Sequence, residues 1–349
     1  MKNKLNKKQL EISLNLMPAF FHKHIGTSYG GRFYFDPGYR AEVEQAEQRF
    51  LFDVLGQFGV GSKEPKPSSN LFIQPIDLIK ATQGADIHCP ADATFETHGH
   101  PWSGKSSAKI SKISASDAAE HPFVDKLLKQ YGEMRLMYGE NADIFGIKSG
   151  LMIIHTPYTT AHQLIGDELF YLMIDDPEAV RTIFVKIWEI YNAVFSRLAS
   201  QLKIAFPTRI HLGDCSACML SKDNYREIVL PMNRKIAAGF QSMSYHSCGA
   251  STHLLSSFAE LPLLSSIELG PGTDFAQAVK LMPETSMSPL MDPVIIRNGS
   301  TEDVESLVKS VTSETFNAPA VTLCAWSLDM ETPVANLQKL YLTLEESFE

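Results

Sequence analysis

Residues 150–156, GLMIIHT, are followed by DPEAVRTIFVKIWEIYNAVFSRLASQLK at 176–203 and then by RIHLGD at 209–214. The first run is short, apolar and rich in isoleucine, with Gly150 before it and Thr156 at its end, which reads as a strand. The second carries apolar residues three and four apart and opens on Asp176-Pro177, a capping residue followed by a residue suited to the first helical turn. The third is a strand again. A strand, a long amphipathic helix and a second strand make a crossover between parallel strands.

The same unit recurs towards the C-terminus. SKDNYREIVLPMNRKIAAGF (221–240) reads as helix, with Pro231 marking a kink or break. SMSYHSCG (242–249), LLSSIELG (263–270), TSMSPLMDP (285–293) and VTLCAWSL (321–328) read as strands. HLLSSFAEL, DFAQAVKLM, STEDVESLVKSVTSETF and PVANLQKLYLTLEESF read as helices between and after them. Successive units of this kind imply a parallel sheet, either open and doubly wound or closed into a barrel. Polar and metal-competent residues favour the barrel. Asp214, His246 with Cys248, Glu268, Asp292 and Cys324 all fall at C-terminal strand ends, which in a TIM barrel form one mouth. No glycine-rich dinucleotide loop follows a strand, which argues against the open sheet. The expected fold is α/β: a TIM-type (β/α)8 barrel over 71–349, with residues 1–70 as a helical extension packed on it.

Towards the N-terminus the pattern changes. AEVEQAEQRFLFDVLGQFG (41–59) reads as helix between Gly- and Pro-rich punctuation, and LFIQPI (71–76) and ADIHC (85–89) are short strand candidates. THGHPWSGKSSAKISKISASD (97–117) reads as a polar surface excursion, able to line the mouth. The 349 residues are 44% hydrophobic and 20% charged, the composition of a soluble globular chain. A net charge of −9 argues against a general nucleic-acid binder and against an anionic membrane surface, though not against a local basic patch. No apolar run of about 18 residues predicts a membrane span. The basic start MKNKLNKKQLEISLNL lacks the apolar core of a secretory signal. Five scattered cysteines do not form a disulfide framework, so a cytoplasmic protein is expected.

His246-Ser247-Cys248 carries the chemistry. Residues i and i+2 of a strand share a face, so His246 and Cys248 aim at one point, and Gly249 lets the chain turn after them. Imidazole nitrogen and thiolate sulfur suit zinc, and Cys324 is able to add a third ligand from across the mouth. Three protein ligands leave a position for substrate, the arrangement of a catalytic site. An isolated H-x-C is not specific, since cysteine is commonly buried and histidine common at strand ends. Cys215 and Cys218 form a competing C-x-x-C, read as mainly packing, and Cys89 reads as core. His98 and His100 read as surface. Asp214 is the leading candidate to orient a ligand or substrate proton, against a plain capping role. Glu268 and Asp292 are candidates for a fourth ligand or a substrate contact, with a turn role favoured for Asp292 before Pro293. Tyr245 and Trp326 are expected to face away from the site, as packing residues.

Over most of its length from about residue 30 the chain resembles the uroporphyrinogen decarboxylase superfamily, and within it the corrinoid-dependent methyltransferases. That branch includes methylcobamide:coenzyme M methyltransferases and O-demethylase components. The likeness runs through FYFDPGYRAEVEQ, LIGDELFYLMIDDPEAV, HLGDCSACMLSKDNYREIVLP, YHSCG, IELGPGTDFAQAV, MDPVIIRNGSTEDV and SLDMETPVANL. It implies zinc bound by His246, Cys248 and Cys324. It also implies a corrinoid (methylcobalamin) on a partner corrinoid protein, and a small-molecule methyl donor or thiol acceptor. The metal-free decarboxylases of the superfamily carry an arginine-bearing PVWxMRQAGRY segment near the N-terminus. Here MPAFFHKHIGTSYGGRFYFDPGYR supplies Arg32 and Arg40 without that motif. A metal-free decarboxylase is therefore the alternative, and a non-enzymatic binder of corrinoid or tetrapyrrole with structural zinc a third reading.

Overall fold

The computed structural model describes residues 10–346. Its central feature is a parallel sheet of seven strands. We label them β1 (Leu10–Leu16), β2 (Leu151–His155), β3 (Arg209–Gly213), β4 (Ser242–Ser247), β5 (Leu264–Leu269), β6 (Ser286–Pro289) and β7 (Val321–Leu328). In space the order is β1-β7-β6-β5-β4-β3-β2, so each strand after β2 is laid beside its predecessor, as in a TIM-type barrel. β1 and β2 are the two ends of the ladder.

β1 comes from the segment expected to be helical. Leu10, Ile12, Leu14 and Leu16 alternate with Glu11, Ser13 and Asn15, a period of two, and the strand pairs with β7 so that Ser13 stands beside Cys324. Helices follow, among them α1 (Pro37–Leu55), which Asp36 caps by accepting from the Tyr39 amide at 3.1 Å. Most of LFIQPI is not a strand. Only Asn70–Leu71 pairs, with Asp143–Ile144, because Pro75 opens a helix over Pro75–Thr82. ADIHC contributes Asp86–His88 to an antiparallel pair with Glu96–His98.

The long helix α2 (Pro177–Leu202) begins where Asp176 and Pro177 predict, with the Asp176 carboxylate accepting from the Ala179 amide at 3.0 Å. It buries Val180, Ile183, Phe184, Ile187, Tyr191, Val194, Phe195 and Leu198, each worth about 1.5–3 kcal/mol if removed from water. Pro231 causes neither a break nor a simple kink. Lys222–Asn224 and Leu230–Ala237 are joined through a π-helical turn at Tyr225–Val229, which accommodates the amide that proline lacks.

Along β2 to β6 the outward positions Met152, Ile154, Ile210, Leu212, Met243, Tyr245, Ile267, Leu269 and Met287 are buried under the helices. The inward positions between them keep partial exposure. The sheet is therefore apolar on its convex side and accessible on its concave side. No helix among the described residues is long and apolar enough to cross a membrane.

Candidate metal centre

Register sets the site. His155 stands beside Gly213, Gly213 beside His246, His246 beside Glu268, and Glu268 beside Ser288, one level of the concave face across β2 to β6. Cys248 lies two residues beyond His246, and Cys215 two beyond Gly213, so both rise above that level on neighbouring strand ends. One ligand atom each from Cys215, His246 and Cys248 lie within 4.8 Å of one another. This is the set of donors that a borderline-soft ion takes.

His246 is oriented from behind. Its Nδ1 lies 2.9 Å from Oε2 of Glu268, which leaves the other ring nitrogen for the cluster. Burial acts to lower the His246 pKa, but hydrogen bonds with Cys248 and Glu268 outweigh it and raise the pKa to about 9. The Cys248 thiol is pulled down by its hydrogen bond with Cys215 and by His246, while that same bond and burial push Cys215 up. Cys248 is thus the group's ready thiolate. Gly249 acts through space rather than by a left-handed turn. A Cβ there would sit 2.3 Å from Sγ of Cys218, so only glycine lets the Cys218 loop close over it.

Cys324 is not part of that group. It is buried in β7, donates to the Thr322 carbonyl at 3.4 Å, and burial holds its thiol well above its usual range. It does share the concave face, as Trp326 two residues on shows. The Trp326 ring stacks on His246 with centroids 6.3 Å apart, and its Nε1 donates to Ser13 at 2.9 Å. Trp326 therefore faces the site, contrary to expectation, because two residues of strand return to the same side.

Tyr245 does face away, towards Asp214. Asp214 is fully buried on the convex side and accepts from Thr156 Oγ1 and Thr159 Oγ1 at 2.8 Å each and from the Tyr245 hydroxyl at 2.6 Å. Burial raises its pKa. It does not touch the cluster, but its amide donates to the His246 carbonyl at 2.7 Å, which ties the start of the Cys215 loop to β4. Asp292 caps the helix Pro293–Asn298 by accepting from the Val294 amide at 2.8 Å. It lines a separate hollow of about 390 Å³ near Phe275 and Val311. Cys89 is half-buried. His98 is exposed and stacks on His88, 3.8 Å between centroids, and His100 is exposed as well. The 97–117 excursion packs on the chain around Gln163 and Glu168 through His100, Ser103 and Gly104. Arg40 is buried against Glu44, and Arg32 pairs with Asp36 at the surface.

Cys215, read from the sequence as mainly packing, belongs to the group, and His155 and His211, which the sequence reading passes over, stand beside it. The signal was the alternation 211-213-215 running beside 246-248, which puts Cys215 next to Cys248.

Fold and site together describe a parallel α/β barrel with a thiol–imidazole group at its C-terminal mouth. The sequence pattern of Uroporphyrinogen decarboxylase (URO-D) matches residues 107–346, and the chain belongs to that family. Among solved structures, a methyltransferase from Methanosarcina mazei superposes with a TM-score of 0.67 at 14% identity, covering 100% of this chain and 96% of that one. A B12-independent methionine synthase from Shewanella sp. W3-18-1, in complex with selenomethionine, gives a TM-score of 0.40 at 10% identity, covering 63% and 66%. No curated protein matches the sequence.

Proposed function

We propose that this chain is a zinc-dependent methyltransferase that moves a methyl group between a corrinoid on a partner protein and a thiol or other small methyl donor or acceptor. The observation that carries the reading is the convergence of Cys215, His246 and Cys248 at the mouth of the barrel. The Methanosarcina mazei methyltransferase, of the same fold, supports it. The alternative of a metal-free decarboxylase is disfavoured by the missing arginine-bearing motif and by Arg40, which is buried against Glu44.

The donor set fits zinc. His246, Cys248 and Cys324 hold it in this reading. Cys324 rests on the family resemblance and on sharing the concave face, level with Cys248 through its bridge to Leu290. Cys215, beside Cys248, would be the further thiol available to it. Zinc supplies a Lewis-acid position that keeps a substrate thiol ionised near neutral pH. Glu268 fixes the His246 ring, Asp214 positions the Cys215 loop, and Asp292 serves the fold. Five free thiols suit a reducing cytoplasm.

Metal analysis of single variants tests the assignment. Cys248→Ser and Cys324→Ser should lose zinc and activity, while Cys215→Ser should keep about one zinc per chain. Zinc that survives loss of Cys324 but not of Cys215 transfers the third-ligand role to Cys215. Activity is read from the cobalt absorption bands of methylcobalamin or cob(I)alamin mixed with thiols and methyl donors. Carbon dioxide release from uroporphyrinogen by metal-free protein would establish the decarboxylase instead.

A further inference from the structure

Cys215 stands outside the zinc set of His246, Cys248 and Cys324, yet its sulfur lies within 4.8 Å of the Cys248 sulfur. The backbone holds the two together. Gly213 and His246 are partners in the parallel register, and each cysteine comes two residues after its partner. Between them the Asp214 amide donates to the His246 carbonyl at 2.7 Å. Neighbouring strands run about 4.7–4.9 Å apart, inside the Cα separation of about 4.4–6.8 Å that a disulfide bridges. Side-chain rotation is left to close the gap between the sulfurs.

Exposure orders the pair. Of the five cysteines, all among the described residues, only Cys248 is exposed, so an oxidant in solvent reaches it first. Cys215 beside it is half-buried. The remaining thiols of the barrel are placed differently. Cys324 is buried in β7 and donates to the Thr322 carbonyl. Cys218 lies over Gly249, donates to the Cys215 carbonyl at 3.8 Å, and falls outside the group. A thiol oxidised alone passes through sulfenic acid to sulfinic acid, which thiol reductants do not reverse. A neighbouring thiol captures the sulfenic stage as a disulfide, which they do.

We propose that Cys215 and Cys248 form a redox pair, in which a hydroperoxide oxidises Cys248 and Cys215 captures it as a reversible disulfide. With hydrogen peroxide, the Cys248 sulfur attacks one peroxide oxygen and the O–O bond breaks. Cys248 becomes a sulfenic acid, and the other oxygen leaves as hydroxide and takes up the Cys248 thiol proton as water. The Cys215 sulfur then attacks the Cys248 sulfur and the S–O bond breaks. The departing hydroxide takes up the Cys215 proton as a second water, so both thiols are oxidised and the peroxide is reduced. The bond removes Cys248 from the metal set, so oxidation also costs the site its zinc. That consequence rests on the ligand set proposed above, whereas the bond rests on the two sulfurs alone. Transient disulfides of this kind are compatible with a reducing compartment.

Hydrogen peroxide added to the full chain tests the pair, with zinc content measured beforehand. The parent should lose the two thiol hydrogens in intact mass, and peptide mapping should join Cys215 to Cys248 within one chain. Dithiothreitol should restore both thiols. Zinc should pass to a chromophoric chelator in proportion to the disulfide formed. Cys218→Ser should behave as the parent does. Cys215→Ser should form no such bond and should carry Cys248 on to sulfinic acid, with loss of the thiol that dithiothreitol recovers in the parent. A bond from Cys248 to Cys218, or equal recovery of the Cys248 thiol in the parent and in Cys215→Ser, overturns the proposal. So does a Cys248 thiol that peroxide leaves unreacted. Protein that carries no zinc at the outset and still forms the bond counts against the zinc set and leaves the redox pair standing.

Discussion

At the scale of single residues, the chemistry of the site turns on which atoms meet at the mouth. Glu268 touches His246 and none of the cysteines in the described hydrogen bonds, so its work is to hold the imidazole. Carboxylates behind metal-bound histidines typically contribute 10–100-fold in affinity. Glu268→Gln should therefore weaken zinc binding by about that factor, measured by competition with a chromophoric chelator, with the melting profile of the metal-free protein little changed. Unchanged affinity would remove Glu268 from the site. His246 and Cys248 were legible in the sequence because one strand carries both on one face. Cys215 was less so. It lies just past the strand end, where alternation is harder to trust, and a C-x-x-C spacing draws attention to Cys218 instead.

At the scale of elements, the loop from Asp214 to Cys218 is what brings a second thiol, Cys215, to the His246–Cys248 pair of β4. Four side-chain donors converge on Asp214, from Asn233 and, more closely, from Thr156, Thr159 and Tyr245. They join the end of β2, the helix Pro157–Ile165 and β4 at one buried point. Asp214→Ala strands these donors in the interior, at a cost of about 1–3 kcal/mol for each buried group left unpaired. The melting temperature should fall by several degrees, and the Cys215 thiol should become more reactive to alkylation as its loop loosens. A variant as stable as the parent would show that this junction does not hold the loop. Strand and helix identities were read correctly wherever periodicity ran long, as in α2, and less well where proline set the geometry. Pro75 converts a strand-like run into a helix, and Pro231 is absorbed by a π turn, an outcome that no periodicity reports.

At the scale of the whole molecule, the N-terminal segment is part of the barrel rather than only a cover for it, since β1 lies against β7 next to Cys324. Its short alternation was masked by the basic residues before it and by the helices after it. The same segment carries the clearest pH dependence. Tyr29 donates to Glu47 on α1, and burial above all raises the Glu47 pKa from 4.5 to about 7. A carboxyl with a raised folded-state pKa stabilises the fold fully below its unfolded value, and that contribution is lost as pH rises through the folded value. Melting temperature should therefore fall between pH 4.5 and 7 by more in the parent than in Glu47→Gln, which keeps the neutral hydrogen-bonding shape. Identical slopes would place the linkage elsewhere. The αβ alternation after residue 150 and the polar strand ends together made the barrel legible. The serine row of the concave face was not, because Ser244, Ser266 and Ser286 look like ordinary strand residues until register sets them side by side.

The central claim is a zinc ion held by His246, Cys248 and Cys324, with Cys215 as the further thiol available to it. Zinc K-edge absorption tests it most directly, recorded on the parent and on Cys215→Ser, each with and without added thiol. A sulfur-rich shell at about 2.3 Å is predicted, with a sulfur count that stays constant on adding thiol to the parent and rises by one in Cys215→Ser. Absence of zinc, or a shell of oxygen and nitrogen alone that thiol does not alter, would contradict it.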